Sequence, residues 1–167
     1  MIPSPQSTVE PDPAAPKASV SVKCDSPEMV AAFESVGVTL DSAESSNHKA
    51  YPGSPQEIAD ANKGTRCRWD IGDGYLSVWW TTVDSEAWNA AEEAITARGG
   101  AMTDIAGLVA DVSYFQGDPE SHSSFARWNV DALTGSTWIH INHSSWTSPE
   151  DGADAFKAAL AIAKLKD

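Results

Sequence analysis

The feature that most restricts the fold is residues 65–80, TRCRWDIGDGYLSVWW, which alternate with a period of two on either side of a glycine turn. In an extended chain Cys67, Trp69 and Ile71 point one way and Arg66, Arg68 and Asp70 the other. GDG at 72–74 reverses the chain. In 75–83, Leu76, Val78 and Trp80 then alternate with Tyr75, Ser77, Trp79 and Thr81. The stretch is therefore a hairpin with one heavily apolar side, and Trp69 and Trp80 belong to the core. Trp79, on the opposite side, has no place in that core.

The same alternation marks the later strands. Residues 124–132 place Ala126, Trp128 and Val130 inward and Arg127, Asn129 and Asp131 outward. Residues 137–143 place Ile139 and Ile141 inward and Trp138, His140 and Asn142 outward. LVADVSYF, at 108–115, reads less cleanly, with Leu108, Ala110, Val112 and Tyr114 as the expected inner set. Helix starts are spelled SPEM at 26, SPQE at 54 and SPED at 148, each a serine N-cap, a proline and an acid in the first turn. Ser54 to Glu57 fits a capping box. The first helix presents Met29, Val30, Phe33 and Val36 and stops at Gly37; the last presents Phe156, Ala159, Leu160 and Ala163. A further helix from Asp84 or Ser85 buries Trp88, Ala91 and Ile95 and ends at Gly99-Gly100. Residues between Gly37 and Ser54 are polar and read as a surface loop.

Laid side by side, 67–95 and 126–160 share one order: Arg-Trp strand, glycine turn, second strand, capped helix. The chain reads as a degenerate duplication of a β-β-α unit. The predicted fold is α+β, a mainly antiparallel sheet of about five strands packed with helices. With 167 residues the chain is the size of one domain. Residues 1–23 hold five of the ten prolines and no aromatic residue, and so read as a disordered Pro/Ser/Ala-rich tether ahead of a single globular domain, 24–167.

The tether's charges cancel, so the net charge of -13 falls on the folded part. That excludes nucleic acid and anionic membrane surfaces as expected partners, since both require clustered Lys and Arg. No run of 18 apolar residues exists to span a bilayer, and the opening residues lack the basic and apolar regions of a signal peptide. A tether ahead of a compact domain is what remains once an export signal is removed, so the sequence is expected to be a mature form, a clipped piece, or a reading begun too far downstream.

Cys24 opens the folded region and Cys67 lies in the first strong strand, and an even count in an exported domain favours a bridge. The alternative is two buried thiols that never meet. A bridge would close a loop of just over forty residues and contribute roughly 4 kcal/mol. Neither is a good nucleophile, because Arg66 and Arg68 point away from the Cys67 side chain.

A proline/serine tether, a cysteine just before the first helix, a second in a C-x-W strand followed by YLSVWW, and a late strand before a C-terminal helix form a recognisable layout. It resembles that of the secreted lipoproteins of unknown function found in actinobacteria, over residues 24–167. The resemblance implies a small α/β sandwich with a Cys24–Cys67 disulfide, held outside the cytoplasmic membrane by a lipid-modified cysteine upstream. This sequence departs from it in having no lipobox cysteine. The family has no established activity, so the resemblance implies a location and a fold but no catalytic residues.

The outward face of the sheet gathers Arg68, Tyr75, Trp79, Arg127, Trp138, His140 and Asn142. Aromatic platforms beside guanidinium groups suit a sugar, a peptide or an anionic group, which makes these the candidate ligand-binding residues. Against that stands a second reading, in which helices cover part of the face and Arg68, Asp70, Arg127 and Asp131 form cross-strand ion pairs. His140 and His143, three apart on a strand, point to opposite faces and do not make a zinc site with His122. DIGDG lacks the ligand count of a calcium loop. No metal or cofactor is expected, and no nucleophile elbow, phosphate loop or nucleotide fingerprint is present. The expected function is a non-enzymatic extracytoplasmic domain binding a small ligand, an envelope component or a protein. The alternatives are a small hydrolase using Asp111, Asp131 and His140 and a cytosolic protein-interaction domain.

Overall fold

The computed structural model describes residues 23–44, 50–72, 74–117, 128–144 and 149–164. The tether at 1–22, the strand start at 124–127 with Arg127, His122 and the Ser148 cap lie outside them. Chain order is α1 (Pro27–Glu34), β1 (Ser42–Glu44), α2 (Pro55–Ala61), β2 (Thr65–Ile71), β3 (Gly74–Thr82), α3 (Ser85–Ala97), β4 (Ala101–Met102), β5 (Val112–Gly117), β6 (Trp128–Thr134), β7 (Thr137–His143) and α4 (Pro149–Lys164). The strands form one sheet in the order β1-β2-β3-β7-β6-β5-β4, every neighbouring pair antiparallel. The fold is α+β, as the strand pattern predicts, with seven strands in place of about five. The additional ones, β1 and β4, are three and two residues long and sit at the edges, where no strong alternation is needed to hold them. Residues 37–54 are accordingly not all loop: Ser42–Glu44 pairs with Arg68–Asp70.

The predicted hairpins β2-β3 and β6-β7 meet through their second strands, which puts β3 beside β7 at the centre of the sheet. Each hairpin is followed by its helix. The two helices take opposite faces, however: α4 joins α1 on the face of Trp80, while α3 joins α2 on the face of Trp79. The sequence echo is thus one of order, and no single rotation relates the two units.

The first face carries the larger core. Met29 and Phe33 of α1 and Phe156, Ala159 and Ile162 of α4 pack on Trp69, Leu76, Val78, Trp80, Val130, Ile139 and Ile141. Five alanines of α4, at 153, 155, 158, 159 and 163, are buried, so the helix backbone comes close enough for the Trp80 indole Nε1 to donate to the Ala159 carbonyl at 2.8 Å. The Trp69 indole likewise donates to the Cys24 carbonyl at 2.8 Å. Cys24 and Cys67 are bridged, with Cα atoms 5.4 Å apart. The bridge and the Trp69 hydrogen bond both tie the start of α1 to β2.

Local signals set the helix ends. Ser26, Ser54 and Asp84 accept from the backbone N–H groups of Met29, Glu57 and Ala87. The expected capping box is altered, because the Glu57 carboxylate accepts from the Gly53 N–H at 2.7 Å while the Ser54 N–H donates to the Tyr51 carbonyl. After α2 the chain passes tightly under β3: a Cβ at Gly64 would lie 2.5 Å from Thr81 Oγ1 and 2.9 Å from the Ala59 carbonyl oxygen. Only glycine allows α2 to sit that close to the sheet.

Residues 108–115 depart from the expected phase. Leu108 and Ala110 reach the first-face core from a loop that also buries Ile105. Val112 and Tyr114, on β5, lie on the second face, and Phe115 is the residue aligned with Val130 on the first. Both parities of LVADVSYF are apolar, and the strand begins only after Asp111, so the alternation spans a loop-strand boundary.

The bridge spans a sequence separation of 43. Replacing both cysteines by alanine is expected to lower the free energy of unfolding by about 4 kcal/mol, read as a lower urea midpoint. Intact mass after alkylation under denaturing conditions should show no reactive thiol before reduction and two after it.

Candidate functional site

Strand register assembles the second face into rows. One row runs Arg66 on β2, Trp79 on β3, His140 on β7, Asp131 on β6 and Tyr114 on β5; the next runs Arg68, Ser77, Asn142, Asn129 and Gln116. Asp70 and Tyr75 form the start of a third. Helices α2 and α3 lie over the first of these rows and over Trp138 and Leu133 beyond it, through Ala59, Trp88, Ala91 and Ile95.

The covered half is buried and holds a chain of side-chain hydrogen bonds. Trp138 is fully buried, with Trp79, His140 and Asp131 nearly so. One oxygen of Asp131 accepts from the Trp138 indole at 2.9 Å and lies 2.7 Å from His140 Nδ1. On its other side His140 Nε2 is 2.9 Å from Nε2 of Gln56, in the first turn of α2. An amide nitrogen only donates, so in this arrangement Nε2 accepts from Gln56 and Nδ1 donates to Asp131. Beside it the Tyr114 hydroxyl donates to the Glu92 carboxylate of α3. Burial, and then that hydrogen bond, hold the hydroxyl well above the usual tyrosine range.

An aspartate that orients a histidine supplies two of the three members of a hydrolytic triad. Here the catalytic nitrogen is occupied by Gln56, and among the described residues no hydroxyl or thiol hydrogen-bonds to it. The other expected acid is elsewhere: Asp111 accepts from the Gly135 N–H at 2.7 Å and closes the β6-β7 turn. Asp131, expected to join cross-strand ion pairs, instead serves His140 and Trp138.

The other half of the face extends past the helices. The Arg66 guanidinium lies over the Trp79 ring at 4.6 Å and that of Arg68 over the Tyr75 ring at 4.1 Å. Burial first, and then the Arg68 charge, lower the pKa of Arg66 against the pull of Asp60; burial raises the Asp60 carboxyl against Arg66. Across the sheet runs an amide ladder: Asn142 Nδ2 donates to Asn129 Oδ1 at 2.6 Å, Asn129 Nδ2 to Gln116 Oε1 at 3.3 Å, and Gln116 Nε2 to the Arg98 carbonyl. All its donors point the same way, toward the β5 edge.

Of the predicted ligand-binding residues, Arg68, Tyr75 and Asn142 are half-buried on this strip. Trp79, Trp138 and His140 are buried under α2 and α3, so they are not the exposed platform expected of them. Arg127 lies outside the described residues. Arg66 and Asn129 had the right phase in the sequence and no feature to single them out, while Asp131 stood out only as an acid for ion pairing or hydrolysis. Gln116 was hidden by the misread phase of its strand, and Gln56, on a helix far away in sequence, carries no signal at all. Comparison with protein-family models, curated proteins and solved structures finds no match to this chain.

Replacing Asp131 by alanine leaves two buried donors without an acceptor and is expected to destabilise the protein by about 3 kcal/mol; Asp131→Asn, which keeps one acceptor oxygen, should cost roughly half of that. Urea denaturation measures both. For Tyr114, folding favours the protonated hydroxyl, so its contribution is complete below the ordinary tyrosine pKa of about 10 and is lost as pH rises above it. Urea midpoints at increasingly alkaline pH should therefore fall more steeply for the wild type than for Tyr114→Phe.

Proposed function

We propose that this chain is a non-enzymatic extracytoplasmic binding domain and that its recognition surface is the part of the second face beyond α2 and α3, centred on the half-buried Arg68, Tyr75 and Asn142. The observation that carries the reading is the composition of that strip. In a chain of net charge -13, two arginines stand on the same face of β2, each stacked on an aromatic ring and next to a ladder of side-chain amides. Flat cation-aromatic pairs and amides at the end of a rigid sheet are means of orienting a polar ligand. The rest of the same face is closed by helices.

The disulfide fits an oxidising compartment, and among the described residues no helix is long and apolar enough to cross a membrane. These two points, with the resemblance in layout to actinobacterial lipoproteins, favour an envelope component as the ligand. A hydrolase built on Asp131 and His140 is the less favoured reading, since Gln56 holds Nε2 and Asp111 is at the far end of the hairpin. A cytosolic interaction domain accounts poorly for the bridge.

The test is an amide NMR titration of the oxidised full-length protein with soluble peptidoglycan fragments and envelope polysaccharide oligomers. The expected perturbations cluster at residues 66–68, 75–77, 129 and 142. Binding that maps instead to the helices, or no binding of any fraction, would overturn the reading.

A further inference from the structure

The direction of the amide ladder is fixed from one end. The Arg98 carbonyl, at the C-cap of α3, only accepts, so Gln116 turns its amide nitrogen toward it. Gln116 Oε1 is then left to accept from Asn129 Nδ2 at 3.3 Å, and Asn129 Oδ1 to accept from Asn142 Nδ2 at 2.6 Å. Aligned bonds of this kind strengthen one another. The end they leave over is an acceptor, Asn142 Oδ1.

What the row still offers follows by subtraction. Each primary amide has two N–H donors and spends one along the ladder, so three donors remain. Asn142 Oδ1 has no donor among the described residues, yet it is not one of the buried polar atoms left without a partner, so it reaches solvent. All three residues are half-buried, and they stand directly opposite one another on β7, β6 and β5. With neighbouring strands about 4.8 Å apart the row is about 10 Å long, the length of a disaccharide.

The surroundings decide the charge of a fitting ligand. The ladder ends on the C-terminus of a thirteen-residue helix, the negative end of its dipole, and the chain carries a net charge of -13. Both disfavour an anion. Arg68 is two strands from Asn142 in the same row, and its guanidinium lies over Tyr75. An uncharged row with more donors than acceptors suits a ligand rich in neutral acceptors. Sugars supply these as hydroxyl, ring and acetamido oxygens. An extended peptide carries donors and acceptors in equal number and would set its own N–H groups against donors.

We infer that Asn142, Asn129 and Gln116 form a subsite for a neutral oligosaccharide lying across β7, β6 and β5. Its oxygens accept from the three amide N–H groups, and one of its hydroxyls donates to Asn142 Oδ1. This rests on the strip being the recognition surface and adds the chemical class of the ligand and the row that reads it.

N,N′-diacetylchitobiose is the probe, with digalacturonate as an anionic disaccharide and acetyl-trialanine amide as a short peptide, each titrated into the oxidised full-length protein. The readout is the side-chain amide N–H resonances of Asn129, Asn142 and Gln116, each identified by its loss in the alanine variant. Saturable shifts of all three with the neutral disaccharide alone are expected, with a dissociation constant on the order of 1 mM. Asn142→Ala, which leaves the bond between Asn129 and Gln116 in place, should weaken binding about fivefold, and Asn129→Ala, which cuts the row in two, about tenfold; the Gln116 resonance reports binding in both. Equal or tighter binding of digalacturonate would overturn the neutral assignment, and equal binding of the peptide the sugar assignment, each leaving the strip a binding surface. If the disaccharide moves none of the three amides while envelope fragments still perturb residues 66–68 and 75–77, the ladder is structural only and the broader reading stands. Silence from probes and fragments alike removes both.

Discussion

Everything in this fold depends on the antiparallel pairing of β3 with β7. These strands lie at the centre of the sheet and are buried on both sides: Trp80, Ile139 and Ile141 on one, Trp79, Trp138 and His140 on the other. An antiparallel sheet ordinarily leaves one face to water. With indoles on both, this one needs helices on both, and the chain supplies them by sending α3 and α4 to opposite sides. Three indole N–H groups then fasten the layers, Trp80 to α4, Trp69 to the strap before α1, and Trp138 to Asp131 within the sheet. Large aromatic side chains provide the buried area, and their single donors fix the direction in which each layer docks.

The two helical layers are unequal, and this inequality creates the open strip. α1 and the sixteen-residue α4 cover the first face with a broad apolar core. α2 has seven residues and α3 thirteen, and their coverage ends near the row of Arg66 and His140. Beyond that line the second face turns from Trp, Tyr and Leu to Arg, Ser and Asn, outside the apolar cluster under α2 and α3. The same alternation that makes a core under α2 therefore makes a polar surface one row farther on.

Much of this was legible in the residues. Both hairpins, the three described helix caps, the first-face core and the cysteine pair follow from period-two alternation, serine or aspartate at helix starts, and the placement of Cys24 and Cys67. That helices cover part of the second face was one of the two readings the residues allowed; which residues lie under them was not legible, although one sign was present. VWW in β3 is a continuous apolar run, the mark of a strand buried on both faces, yet Ser77, Thr81 and His140 interrupt the pattern and make the outward set look solvated. His140 is polar and 2% exposed because Asp131 and Gln56 satisfy both its nitrogens, a three-element arrangement that no local pattern encodes. β1 and β4 escaped for a different reason. Edge strands of two or three residues are held by their neighbours' backbone, and their own side chains carry almost no signal.

Gln56 explains why an aspartate and a histidine in contact do not by themselves imply catalysis. For His140 to act as a base, Nε2 would have to face a substrate or a nucleophile; it faces the first turn of α2, and the Trp79 ring edge closes the side at 5.1 Å between centroids. Freeing it requires α2 to lift, which would also expose Ala59 and unseat the close passage at Gly64. That same helix brings Asp60 toward Arg66, so its position sets the charge beside Trp79 as well as the lid over His140. The buried histidine is best understood as the pin that holds α2 in place, in the same row of the sheet as Arg66.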